Sequence, residues 1–273
     1  MPPVIVHMVT PIPPSPTGST PIQRKPSENS SLNKLFIGSN GLRSGWRVLL
    51  FYALLTTLVF TLVVAIRAIK RALSVPLQVT SIVTPGRAFL NEGILLFAVL
   101  FAAFVFSRFE KCGFADYGLP VRGTFIARFL EGSLWGVALM SFVLLVLRAT
   151  GNFYFGSIAL RPEKIAAFAI LWAVLFVMVG VAEGFALSGY PLFALARGLG
   201  FWPAAALLAF LFGALHLATN AGENWLGSLS LVIVGLLLAF TIQRTGNLWF
   251  AIGIHAAWDW AQSFLYGVPD IES

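Results

Sequence analysis

Seven stretches of this chain are runs of apolar residues: about Trp46 to Ile69, Phe89 to Phe106, Phe125 to Leu147, Ile165 to Leu187, Phe201 to Ala218, Leu226 to Ile242 and Leu248 to Leu265. A helix rises about 1.5 Å per residue, so about 17–25 residues cross a hydrocarbon core of about 30 Å. None of the runs shows the strict alternation of a membrane-barrel strand, so the pattern predicts helices. The expected fold class is all-α: a polytopic membrane bundle of about seven transmembrane helices enclosing a polar cavity.

Polar segments such as TGNFYFGSIALRPEK and the turn RTGN separate the runs. No internal repeat is visible, which counts against transporter folds built from inverted halves. Residues 1–44, rich in Pro, Ser and Thr, are expected to form a disordered tail. Residues 45–273 are expected to form the membrane domain, with its functional core at 165–266. The tail lacks a basic n-region followed by an apolar h-region, so the first span reads as an uncleaved signal-anchor.

Composition agrees. Hydrophobic residues make up 58% and charged residues 11%, where a soluble domain carries about 25% charged. The net charge of +7 is spread over loops and helix ends with no aromatic-interleaved basic face, which argues against a nucleic-acid partner. The basic residues read as topology signals and favour a cytoplasmic N-terminus; the expected location is a bacterial inner membrane. The single cysteine, Cys112, excludes an internal disulfide. Glu131 follows Arg128 by three residues and reads as half of a helix-surface ion pair.

Three polar islands interrupt the last four runs: AEGFALSG, FGALHLATN and HAAWD. Ionisable residues at membrane depth are costly and mark function by default, which singles out Glu183, His216, His255 and Asp259. The third histidine, His7, lies in the tail. His255 and Asp259 are four apart and share a helix face, so the carboxylate can orient the imidazole. Phe212 and His216 have the same spacing. A glutamate paired with an imidazole can activate water, and a second, oriented imidazole can stabilise an oxyanion. The same four side chains could instead ligate zinc. The residues alone leave these readings open, and there is no HExxH motif.

The stretch from Val181 to Asp259 resembles the CPBP (Abi) family, membrane proteases related to type II CAAX prenyl endopeptidases and bacteriocin-processing enzymes. The family's motifs are EExxxRG, FxxxH and HxxxN or HxxxD. Here the first reads Glu183-Gly184-Phe185-Ala186-Leu187-Ser188-Gly189, the second runs intact from Phe212 to His216, and the third from His255 to Asp259. The resemblance implies an intramembrane endopeptidase with Glu183 as base beside His216, and with His255 and Asp259 at the oxyanion site. Phe212 and Ser188 are taken as substrate-binding positions. The glutamate-base reading requires no cofactor. The implied partners are membrane lipid and a peptide or protein substrate, either lipidated, as in a prenylated CAAX tail, or a leader peptide.

Two departures stand out. The second glutamate is Gly184 and the arginine is Ser188, which removes a bidentate donor. An ionised Asp259, where asparagine is often found, cannot donate to an oxyanion. These departures motivate the alternative of a catalytically inactive membrane scaffold or binding protein that keeps the fold.

Overall fold

The computed structural model describes residues 36–38, 41–74, 84–120, 125–156, 160–220 and 222–267. Most of the tail expected to be disordered, with His7, lies outside the described residues, as does Arg122. The chain divides into two units, residues 1–41 and 42–273. Two strands of two residues each, β1 (Ile37–Gly38) and β2 (Gly41–Leu42), precede the helices. The second unit is helical: α1 (Ser44–Ala72), α2 (Pro85–Glu110), α3 (Phe125–Ala149), α4 (Pro162–Ser188), α5 (Tyr190–Leu199), α6 (Phe201–Thr219), α7 (Trp225–Thr245) and α8 (Leu248–Trp260). A π-helical turn, Ala261–Leu265, follows α8.

Local chemistry sets these boundaries. Prolines open the first turns of α2 and α4, where a missing N–H costs nothing. Asn224 caps α7 by accepting from the N–H groups of Leu226 and Gly227 at 2.9 and 3.1 Å. Asn247 caps α8 through Trp249 N–H at 2.9 Å. Between those helices Gly246 takes φ +63°, a left-handed conformation that suits glycine and ends α7.

Six helices are long and apolar enough to span a membrane, the fourth of them formed by α4 continued by α5. Their outward faces are apolar: Phe60, Phe142, Phe210 and Ile233 are each at least 60% exposed. So much exposed apolar surface is stable only against lipid, and the protein is an integral membrane protein. The all-α polytopic architecture agrees with the apolar pattern.

The seventh expected span differs from the rest. α8 has only 13 residues, and the run to Leu265 is completed by the π-helical turn. Most of α8 is buried: Leu248, Ala251, Ile252 and Ala256 are all under 5% exposed. It is the innermost helix, and it is gripped by backbone-to-backbone contacts at glycines. A Cβ on Gly132 of α3 would strike the Phe250 carbonyl, and one on Gly136 the Ile254 carbonyl. A Cβ on Gly253 of α8 would likewise strike the Phe129 carbonyl. On the opposite side Gly180 of α4 lies so close that a Cβ there would sit 3.2 Å from the Ile252 carbonyl. Small residues allow this approach, and close packing rather than hydrophobic burial holds helices together in lipid.

α5 was not anticipated, since the expected helices leave the chain between Leu187 and Phe201 unassigned. Its inner face (Tyr190, Leu192, Ala194 and Leu195) is buried. Tyr190 joins an aromatic core with Phe51, Phe106 and Tyr117 at centroid distances of 4.9–5.3 Å. Tyr117 belongs to the loop after α2, and burial pushes its hydroxyl above the ordinary tyrosine pKa. On the surface Arg128 and Glu131 form the expected ion pair at 2.7 Å, both well exposed.

The glycine contacts predict that Gly253→Ala forces α8 and α3 apart at a cost of about 1–3 kcal/mol. Gly45→Ala, with nothing within 4 Å of the added carbon, serves as the control. Thermal unfolding in mild detergent should show a lowered midpoint for the first variant only.

Candidate functional site

Three helices supply the expected residues. Glu183 sits in the last turns of α4, His216 near the end of α6, and His255 and Asp259 in α8. The contact that sets the spacing of α4 and α8 also sets the site. Gly180 faces Ile252 and Ala256, and one turn further along α4 the Glu183 carboxylate reaches His255.

One nitrogen joins this group. His255 Nε2 lies 3.3 Å from Asp259 Oδ2, the pairing expected of a four-residue offset, and 3.6 Å from Glu183 Oε2. The three side chains are 14–16% exposed. Ionised carboxylates only accept, so a proton on Nε2 is addressed by both.

A cavity of about 30 Å³ opens beside Glu183 and His255, enough to hold water. Its polar lining comes from Glu183, Ser188 and His255; Leu187, Leu192, Leu208, Phe212 and Leu238 supply apolar walls. Gly184, Gly235 and Ala239 line it as well, and their small size helps keep the space open. Gly184 serves a second purpose, since a Cβ there would lie 3.2 Å from Ile252 Cγ1. A glutamate at 184 would press on the helix that carries His255.

Phe212 reaches the cavity because its neighbour Gly213 packs tightly on α7. The Ser228 hydroxyl donates to the Gly213 carbonyl at 2.9 Å in a buried contact. One turn beyond Phe212, the His216 ring meets the Phe212 ring edge-on, 4.2 Å between centroids. His216 Nδ1 lies 3.1 Å from the Phe212 carbonyl oxygen. A carbonyl can only accept, so Nδ1 carries the proton and neutral His216 keeps Nε2 as an acceptor.

Glu183, His255 and Asp259 thus form one contact chain at the cavity, with Ser188 and Phe212 in its wall. His216 follows Phe212 along α6. Among the described residues no three His, Cys, Asp or Glu side chains are grouped as a metal site, so a zinc-ligating, metalloprotease-like arrangement finds no support.

The aromatic residues behave as packing elements. The indole N–H groups of Trp249 and Trp260 donate to the carbonyls of Pro120 and Ala169, each at 3.0 Å. Sequence reasoning missed a second polar cluster around Glu110, which bonds Tyr190 and pairs with Arg47 and Arg197. Its only sequence signal is a carboxylate at the end of an apolar run.

A family model described as type II CAAX prenyl endopeptidase Rce1-like matches residues 165–261. The match starts in the first turn of α4 and ends just past α8, leaving α1 to α3 outside. No curated protein and no solved structure matches the chain.

The shared nitrogen predicts energetic coupling. His255→Leu leaves two carboxylates facing each other and destabilises more than Asp259→Asn. A double-mutant cycle on these positions, read by chemical unfolding in detergent, should give a coupling of about 1 kcal/mol or more; a coupling within error of zero removes the contact.

Proposed function

We propose, since residues 165–261 match a model of the Rce1-like type II CAAX prenyl endopeptidases, that the protein is an intramembrane endopeptidase of that kind. The observation that carries the reading is the Glu183–His255–Asp259 chain beside a cavity able to hold water. Glu183 acts as general base, taking a proton from water as the water oxygen attacks the scissile carbonyl. The Nε2–H of His255, directed at the Glu183 and Asp259 carboxylates before substrate enters, turns to donate to the oxyanion as it forms. His216, with Nε2 as an acceptor, assists Glu183 in holding the water. The tetrahedral intermediate collapses by breaking the C–N bond, and the proton held by Glu183 passes to the departing amine. Apolar cavity walls keep bulk water out, which strengthens each of these polar contacts.

The substrate is a peptide or protein presented from the membrane, with Phe212 and Ser188 in contact with it. The surplus of basic residues on the N-terminal side supports a cytoplasmic N-terminus in a bacterial inner membrane. Residues 45–273 act as one membrane domain, with the peptidase core at 165–266.

A second reading, an inactive scaffold or binding protein, draws on Gly184 and Ser188, which stand where the family motif has glutamate and arginine. One experiment separates the two. Purified protein in liposomes is given a peptide ending in a prenylated cysteine and three further residues, or a leader-peptide substrate, and the products are read by mass spectrometry. Hydrolysis by the parent chain, reduced at least about a hundredfold in Glu183→Gln, is the expected result. Equal cleavage by both removes Glu183 as base, and binding without cleavage by the parent favours the scaffold.

A further inference from the structure

α4 does not run smoothly into α5. At Gly189 the backbone turns out of the helix (φ −83°, ψ −115°), and a side chain there would run into the Phe185 ring and carbonyl. The last ladder bond of α4 is Gly189 N–H to the Phe185 carbonyl at 3.2 Å. α5 ends on a second glycine, Gly200, at φ +83°. An elbow with glycine at both ends of its short arm has little stiffness of its own, and Glu183 lies less than two turns before it.

α1 and α2, both outside the family match, hold that elbow. The Tyr52 hydroxyl of α1 donates to the Ala186 carbonyl at 2.9 Å, across 134 positions of sequence. Ala186 lies just past the residue that accepts the last ladder bond, so Tyr52 supplies a donor in the terminal turn, where intrahelical donors run out. The first residue of α5 is tied as well: Tyr190 donates to Glu110 Oε1 at 2.7 Å. Arg47 of α1 and Arg197 of α5 pair with the same carboxylate at 3.4 Å each. Phe51, fully buried, packs at a tilt against the Tyr190 ring at 5.0 Å. Arg47, Phe51 and Tyr52 are four and five residues apart and so face the elbow from one side of α1.

We propose that Tyr52 is a positioning residue for Glu183: its hydroxyl fixes the terminal turn of α4, and the Glu110 cluster anchors the far side of the same elbow. The proposal rests on the reading of Glu183 as the base. A catalytic carboxylate displaced by about 1 Å can lose roughly a hundredfold in rate, so a chain with a glycine elbow beside its base needs an external brace.

The test uses the full chain in liposomes with Cys112→Ser and a single reporter, Ser188→Cys, in the cavity wall. The probe is a sulfonate-bearing methanethiosulfonate reagent. Tyr52→Phe removes one oxygen, keeps the ring, and should raise the reporter's labelling rate at least about fivefold, the worth of one hydrogen bond. Tyr190→Phe should act in the same direction. With Ser188 and Cys112 restored, Tyr52→Phe should lower kcat on the prenylated peptide about tenfold and leave KM within about twofold, because the base moves while the substrate walls stay. A labelling rate equal to that of the parent overturns the brace. Faster labelling with unchanged kcat overturns the positioning role. A parent chain that cleaves nothing defeats the peptidase reading instead, while the labelling rates still decide whether Tyr52 holds the elbow.

Discussion

Apolar side chains gain little by leaving lipid for one another, so a membrane bundle is held by how closely its backbones approach. In this protein that constraint converges on α8. Gly132 and Gly136 admit it on one side, Gly180 on the other, and Gly253 answers from α8 itself. The spacing they set has a chemical consequence. With α4 and α8 in near-contact at Gly180 and Ile252, the carboxylate of Glu183 meets the imidazole of His255 at 3.6 Å. A helix separation larger by one methyl group would disturb the packing and the polar pairing together.

Polar groups in such an interior are tolerated only in company. Among the described residues, two clusters of ionisable side chains are shared across helices. One joins α4 and α8 around His255 beside the cavity. The other joins α1, α2 and α5 around Glu110, whose side chain is 10% exposed. The elbow at Gly189 lies between them in sequence, less than two turns after Glu183 and directly before Tyr190. It is contacted by α1 and α2 through Tyr52 and Glu110, helices that precede the matched residues 165–261.

Much of this was legible from the apolar pattern, for a plain reason. Spanning a membrane demands an uninterrupted apolar run of fixed length, and that demand is local. All seven runs became helical, and the ends of α3, α4 and α6 fall within a few residues of where the runs begin and stop. Local too were the helix-face pairs: Arg128 with Glu131, and His255 with Asp259. The shortness of α8 and the π turn after it left no trace in the pattern, because Leu248 to Leu265 reads as one predominantly apolar run on both sides of the point where α8 ends. α5 was missed because a ten-residue helix between two glycines cannot be told from a connection by hydropathy.

By itself, then, the sequence determined the class of fold, the span positions and the identity of the ionisable residues at membrane depth. Each follows from the cost of putting a backbone or a charge in hydrocarbon, a cost that depends on the residue and its near neighbours. Tertiary structure decided which of those residues meet. It joined Glu183 to His255, offered no grouped metal ligands among the described residues, and brought Tyr52 to Ala186. Those choices depend on which helix faces touch and at what distance. Glycines on separate helices fix that distance, and no window along a single helix contains both partners.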